Sequence, residues 1–258
     1  MIGAIAGDII GSVFEADPIK KTSFALFSET SRFTDDTVLS VAIADAIVNK
    51  ADYMTALKTY GRNYPAAGYG MSFYHWVQSS DTEPYNSWGN GSAMRVSPVG
   101  FAFDSTNDVL LEAKKTAAVT HNHPEGIKGA QATALAIYLA RQGVDKEGIR
   151  KQICHRFDYT LNCTLAEIRP NYSFDVSCQG SVPQSIIAFL ESNNFEDAVR
   201  LAISLGGDSD TMGCIAGGIA QAYYGKIPTG IIKQVKQRLP VEFLRIVDQF
   251  GSTFGCSL

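Results

Sequence analysis

Apolar residues recur at helical spacing along most of this chain, and that periodicity limits its fold more than any other feature. Val38, Leu39, Ala42, Ile43, Ala46 and Ile47 form one broad face. The same spacing returns in ATALAIYLA (132–140), SIIAFLES (185–192), DAVRLAISL (197–205) and TMGCIAGGIAQAYYG (211–225). Alternating runs bounded by hairpin turns, the mark of half-buried strands, are few and short. The expectation is an all-α protein of roughly ten or more helices, at a mean helix length of about 11 residues.

Three segments break the pattern. Residues 17–33 contain Pro18 and the aromatics Phe24, Phe27 and Phe33. SSDTEPYNSWGNGS (79–92) concentrates turn formers, and residues 157–178 mix aromatic and polar side chains ahead of CQGSVPQS. No linker, charge block or fixed-period repeat divides the 258 residues, so 1–258 reads as one domain with one sizeable core.

Composition excludes several classes. With 45% hydrophobic and 19% charged residues the chain is an ordinary globular one. A formal net charge of −4 argues against general nucleic-acid binding. No apolar run reaches membrane-span length, and MIGAIAGDIIGSVFEA is interrupted by Asp8 and lacks leading basic residues, unlike an export leader. The five cysteines (Cys154, Cys163, Cys178, Cys214, Cys256) make no CxxC pair and are odd in number, as expected of a reduced cytoplasmic protein. Four histidines without HExxH spacing give little support to zinc.

Two segments gather oxygen ligands at helix starts. In RFTDDTVLS (32–40), Thr34, Asp35, Asp36 and Thr37 precede an apolar helix; in SLGGDSDTMG (204–213), Asp208, Asp210 and Thr211 follow a Gly206-Gly207 turn. Each segment alone reads more simply as a helix cap, since free N–H groups and the helix dipole favour Asp and Thr there. One cap suffices for one helix, however, whereas a hard cation wants several oxygens. If the segments face each other, four carboxylates and two hydroxyls converge in a self-repelling cluster. A pair of Mg²⁺ or Mn²⁺ ions would stabilise it and suit hydrolysis.

Other motifs are less specific. WGNGSAMR (88–95) puts small residues before a helix, a place where backbone N–H groups receive phosphate. It is neither a GxGxxG nor a GxxxxGK[ST] loop. In VTHNHPEG (119–126), Pro124 suits the first helical turn, and His121 and His123 are either ligand-binding or surface and capping residues. Glu15 ends an apolar stretch, and Arg95 reads as a structural helix charge without a catalytic role.

In order, GDIIGSVFE, FTDDT, GNGSAMR, THNHPEG, CQGSVPQSIIAFLES and SLGGDSDTMGCIAGGIAQAYYG resemble the ADP-ribosylglycohydrolase family, from about residue 2 to residue 228. The resemblance implies a compact multi-helix single domain with a central dinuclear metal cleft. It implies two Mg²⁺ (or Mn²⁺), one held by Thr34, Asp35 and Asp36, with Asp208, Asp210 and Thr211 completing the pair and Asp210 bridging. By the same resemblance Asn90, Gly91 and Ser92 form the loop that receives the diphosphate and nearby ribose, and His121 lies at the ADP-ribose pocket. Asp35, or Glu15 through a water, would take the proton during attack. Tyr85 or Trp88 would supply an aromatic wall for adenine.

The implied activity is metal-dependent hydrolysis of the glycosidic bond between ADP-ribose and a modified group, with protein ADP-ribosyl-arginine placed first. Serine-linked ADP-ribose and O-acetyl-ADP-ribose are the alternatives. Some arginine-specific members carry an additional acid before the Gly-rich loop, where this chain has Asp81, Glu83 and Asn86. Two other classes compete. A non-catalytic ADP-ribose-binding relative would show lost ligands, yet all six are present. A two-metal phosphoester hydrolase would yield AMP or phosphate instead of ADP-ribose. The expected partner is an ADP-ribosylated protein or small-molecule conjugate, with no membrane or general nucleic-acid binding, and the expected state is a monomer.

Overall fold

Local sequence and burial account for the order of the helices. The computed structural model describes residues 1–256. Its helices are α1 (Ile2–Gly11), α2 (Asp35–Asn49), α3 (Tyr53–Asn63), α4 (Met71–Gln78) and α5 (Gly91–Met94). They continue as α6 (Ser97–Ala102), α7 (Thr106–Ala118), α8 (Pro124–Arg141), α9 (Lys146–Phe157) and α10 (Leu165–Ile168). The last are α11 (Cys178–Glu191), α12 (Phe195–Ile203), α13 (Ser209–Tyr224), α14 (Thr229–Lys236) and α15 (Val241–Phe254). No strand forms among the described residues; one isolated antiparallel bridge pairs Gly89 with Ser177. The all-α expectation holds, with more helices than the minimum that periodicity suggested.

The centre of the molecule is the α1–α13 pair. Every residue of α1 is buried, as expected of a helix that is apolar all round. Gly3, Gly7 and Gly11 form a side-chain-free strip that meets Gly217, Gly213 and Ser209 of α13. A β-carbon on Gly7 would stand 1.9 Å from the Gly213 carbonyl oxygen, so the backbones touch and no larger residue fits. Asp8 is carried on this helix and buried with it.

Outer helices show the narrower stripe that sequence periodicity detects. In α15, Phe243, Ile246, Val247 and Phe250 are buried while Val241 is exposed. Helices α8, α11 and α12 pack around α13, and α2 lies between α1 on one side and α3 with α15 on the other. One continuous apolar core results. The loop of residues 12–34 crosses this body, held by cationic side chains: Arg200 donates to the Thr22 and Phe24 carbonyls, and Arg238 to those of Ser28 and Ser31. No described helix is long and apolar enough to cross a membrane.

Candidate metal-binding cleft

The two acidic segments face each other because α2 and α13 begin at the same end of the α1 axis. The strip of glycines brings the Ser209-Asp210 backbone against Gly11, which sets Asp210 close to Asp8. Ligand oxygens of Asp8, Asp36 and Asp210 lie within 4.8 Å of one another, and so do those of Glu15, Asp208 and Asp210. Asp210 is common to both groups.

The capping alternative fails at both helices. Thr34 and Asp208 occupy the N-cap positions of α2 and α13, and neither makes a side-chain cap bond. Asp8 does that work for α2: its carboxylate accepts the backbone N–H groups of Thr34 at 3.0 Å and Thr37 at 3.1 Å. It also accepts the Thr34 hydroxyl at 2.7 Å and the Thr37 hydroxyl. Thr211 donates its hydroxyl to Asp36 Oδ2 at 3.2 Å, and Asn90 Nδ2 donates to Asp208 Oδ2 at 2.8 Å. Capped from α1, the α2 start is free to turn Asp36 into the cluster.

Charge is left uncompensated. Asp8, Asp36, Asp208 and Asp210 are buried, and none of the ion pairs among the described residues involves them, Glu15 or Asp35. Burial first, then the neighbouring Asp210 charge, pushes Asp8 up to about 7 against its hydroxyl and N–H donors. The same two causes hold Asp35, Asp36 and Asp208 well above the usual carboxylate range, and raise Glu15 as well. Asp36 Oδ1 is buried with no hydrogen-bond partner. An all-oxygen donor set with an orphaned carboxylate oxygen fits a hard divalent cation.

The remaining side chains line a cleft of about 600 Å³ above this cluster. Asp35 lines it beside the triads without joining either, its backbone N–H bonded to the Ala67 carbonyl at 2.9 Å. One wall is Tyr85, Trp88, Gly89, Asn90, Gly91 and His121; Phe174 and Val176 stand with them, half exposed at 52% and 45%. The two loops of this wall are tied by backbone bonds from Asn90 N to Val176 O and from Cys178 N to Trp88 O. Gly68, Gly70, Met71, Ser72 and Phe73 complete the cleft.

Several expected residues sit differently from the sequence expectation. Ser92 is fully buried, and its hydroxyl donates to the Gly126 carbonyl at 2.7 Å, directed away from the cleft. The helix behind the Gly-rich loop, α5, is only four residues long, so it offers no substantial dipole. Asp81 and Glu83 do not line the cleft; Asp81 accepts the Glu83 N–H, and the Glu83 carbonyl accepts Trp76 Nε1. His123 caps α8 through Nδ1, whereas His121 faces the cleft. The sequence expectation omits Asp8 from the cluster, gives Glu15 only as a proton acceptor through a water, and does not include Phe174 and Val176. For Asp8 a signal existed: a lone carboxylate in the otherwise apolar IGAIAGDIIG.

Comparison with known proteins bears on this arrangement. The model of the family described as ADP-ribosylglycohydrolase matches residues 1–254. ADP-ribosylhydrolase ARH3 of Gallus gallus is 28% identical, covering 88% of this chain and 84% of its own. ADP-ribosylarginine hydrolase Tri1 of Pseudomonas putida (strain GB-1) is 26% identical over 87% of this chain and 69% of its own. A solved structure titled ADP-ribosylglycohydrolase-related protein complex superimposes with a TM-score of 0.74 at 23% identity, covering 100% of this chain and 96% of that one. With the fold, the cleft and a match along nearly its whole length in agreement, the chain belongs to the ADP-ribosylglycohydrolase family.

Proposed function

We propose that the cleft hydrolyses the glycosidic bond between ADP-ribose and a modified group, in a reaction that requires divalent cations. The observation that carries this is the pair of acidic triads sharing Asp210 at the floor of a cleft large enough for a nucleotide-sized ligand. Asp8, Asp36 and Asp210 would hold one cation, and Glu15, Asp208 and Asp210 a second, with Mg²⁺ or Mn²⁺ the best match to oxygen ligands. Such ions, when bound, supply Lewis-acid stabilisation for the sugar hydroxyls and the attacking water.

The chain's own groups do the rest. Asp35 lines the cleft outside both triads and is the side chain best placed to take a proton from water, with Glu15 as the second candidate. Asn90 and Gly91 offer polar and backbone contacts for the diphosphate-ribose part, and His121 adds a neutral imidazole, held well below its usual range by burial and by Arg95. Tyr85, Trp88 and Phe174 provide flat apolar surface suited to an adenine ring.

The linkage has two readings. ADP-ribosyl-arginine is supported by the similarity to a hydrolase named for that substrate. An O-linked substrate, serine-bound or acetyl-bound, is supported by the cleft itself: Asp81 and Glu83 are absent from its lining, leaving no acid outside the Glu15–Asp35–Asp36–Asp208–Asp210 group to meet a guanidinium. Release of free ADP-ribose from arginine-, serine- and acetyl-linked substrates, with Mg²⁺, Mn²⁺ or EDTA, tests both. Cation-dependent ADP-ribose release is expected from at least one linkage. No release from any of them, or AMP as the product, overturns the proposal.

A further inference from the structure

Arg95 lies in the lining of the cleft without a counter-ion. It is fully buried, and none of the ion pairs among the described residues includes it. Its Nη2 donates to the Thr116 carbonyl and to Thr120 Oγ1, both at 2.8 Å, while Nε and Nη1 have no partner. The Thr116 carbonyl belongs to the last turn of α7, where the helix dipole favours a cation. That explains how the charge is tolerated, and a purely structural clamp would stop there.

The Thr120 contact continues. Thr120 Oγ1 lies 2.7 Å from His121 Nδ1. On the other side of the ring, a β-carbon on Gly91 would stand 3.1 Å from His121 Nε2, and one on Gly89 would stand 3.6 Å away. The imidazole therefore bridges a buried hydroxyl and the Gly89–Gly91 wall of the cleft.

We infer that Arg95, acting through Thr120, fixes His121 in the Nε2–H tautomer and so makes it a hydrogen-bond donor toward a ligand on that wall. A guanidinium can only donate, so Thr120 Oγ1 must accept from Arg95. The positive charge polarises the hydroxyl, strengthening its own O–H as a donor and weakening its oxygen toward a second N–H. The Thr120 proton then goes to His121 Nδ1, and the ring proton is left on Nε2. In this inference Arg95 and Thr120 act as positioning residues for His121, whose Nε2–H meets the ligand. The ligand part of this inference rests on the proposed function, whereas the tautomer does not.

Imidazole nitrogen NMR of the Mg²⁺-loaded full chain tests it, with a His121→Gln spectrum for assignment and ADP-ribose titration alongside. The wild type is expected to show the Nε2–H form alone, Thr120→Val a mixture or the Nδ1–H form, and Thr120→Ser the wild-type pattern. ADP-ribose affinity should fall about tenfold in Thr120→Val, the scale of one lost polar contact, and recover in Thr120→Ser. Arg95→Lys, which keeps the charge in a different shape, controls for folding through its far-ultraviolet spectrum and should weaken the Nε2–H preference. Retention of the pure Nε2–H form in Thr120→Val, or an Nδ1–H form in the wild type, overturns the inference. A wild type that shows the expected tautomer yet fails to bind ADP-ribose overturns the proposed function instead.

Discussion

The Asp8 carboxylate accepts the Thr37 backbone N–H at 3.1 Å across 29 positions of sequence, so the first turn of α2 is capped by α1. One group thereby links the central helix pair, the start of α2 and the acidic cluster. If the cluster holds a cation as proposed, a carboxylate that also caps a neighbouring helix couples cation occupancy to local folding.

Replacing Asp8 with Asn separates these roles. The amide oxygen can keep the Thr34 and Thr37 backbone donors, and the amide nitrogen can donate to the Thr34 hydroxyl, which is free to accept. Asp8→Asn is therefore expected to fold, to be more heat-stable than wild type without cations, and to bind Mg²⁺ at least about tenfold more weakly. Differential scanning calorimetry with EDTA and a Mg²⁺ titration check both parts.

Cation removal should make stability pH-dependent with a definite sign. Asp8 is raised from 3.8 to about 7 in the folded chain, so the folded state binds protons more tightly than the unfolded one. That contribution is fully present below about pH 4 and is lost as pH rises through about 7. With EDTA, Tm should fall between about pH 5 and about pH 8; saturating Mg²⁺ should remove most of that slope by compensating the charge. A thermal-shift series over pH, with and without the ion, reads this directly.

Asp35 and Asp36 should behave differently despite adjacency. Asp36 belongs to a triad and Asp35 does not. Asp36→Asn is expected to lose the Mg²⁺-induced rise in Tm along with turnover. Asp35→Asn should keep that rise and lose turnover by roughly 10²–10⁴-fold, the usual scale for a lost acid–base group. Parallel thermal-shift and ADP-ribose-release measurements decide it.

The α1–α13 contact should tolerate no side chain. The Gly7→Ala methyl would meet the Gly213 carbonyl at 1.9 Å, and backbone cannot rotate away as a side chain can. Forcing the helices apart should cost about 1–3 kcal/mol or more and weaken cation binding by separating Asp8 from Asp210. Urea denaturation and a Mg²⁺ titration measure the two effects; Gly230→Ala, where a β-carbon meets nothing within 4 Å, is the control.

The sequence by itself determined the helical class, the main loops and the two acidic segments, because periodicity, turn chemistry and surplus carboxylates are local properties. Asp36, Asp208 and Asp210, which share the acidic triads, stand in the two segments the sequence singles out, whereas Thr34 turns its hydroxyl to Asp8. Only the tertiary structure decided which groups share the cluster. Asp8 enters through a backbone contact between glycines of α1 and α13, more than 200 residues apart. Ser92 turns away because its hydroxyl finds the Gly126 carbonyl, and Arg95 becomes a buried cation because α7 ends beside it. A carboxylate in sequence looks the same whether it caps, solvates or ligates. The oxygens brought within 4.8 Å of it, and the absence of any cation paired with it, are set by packing.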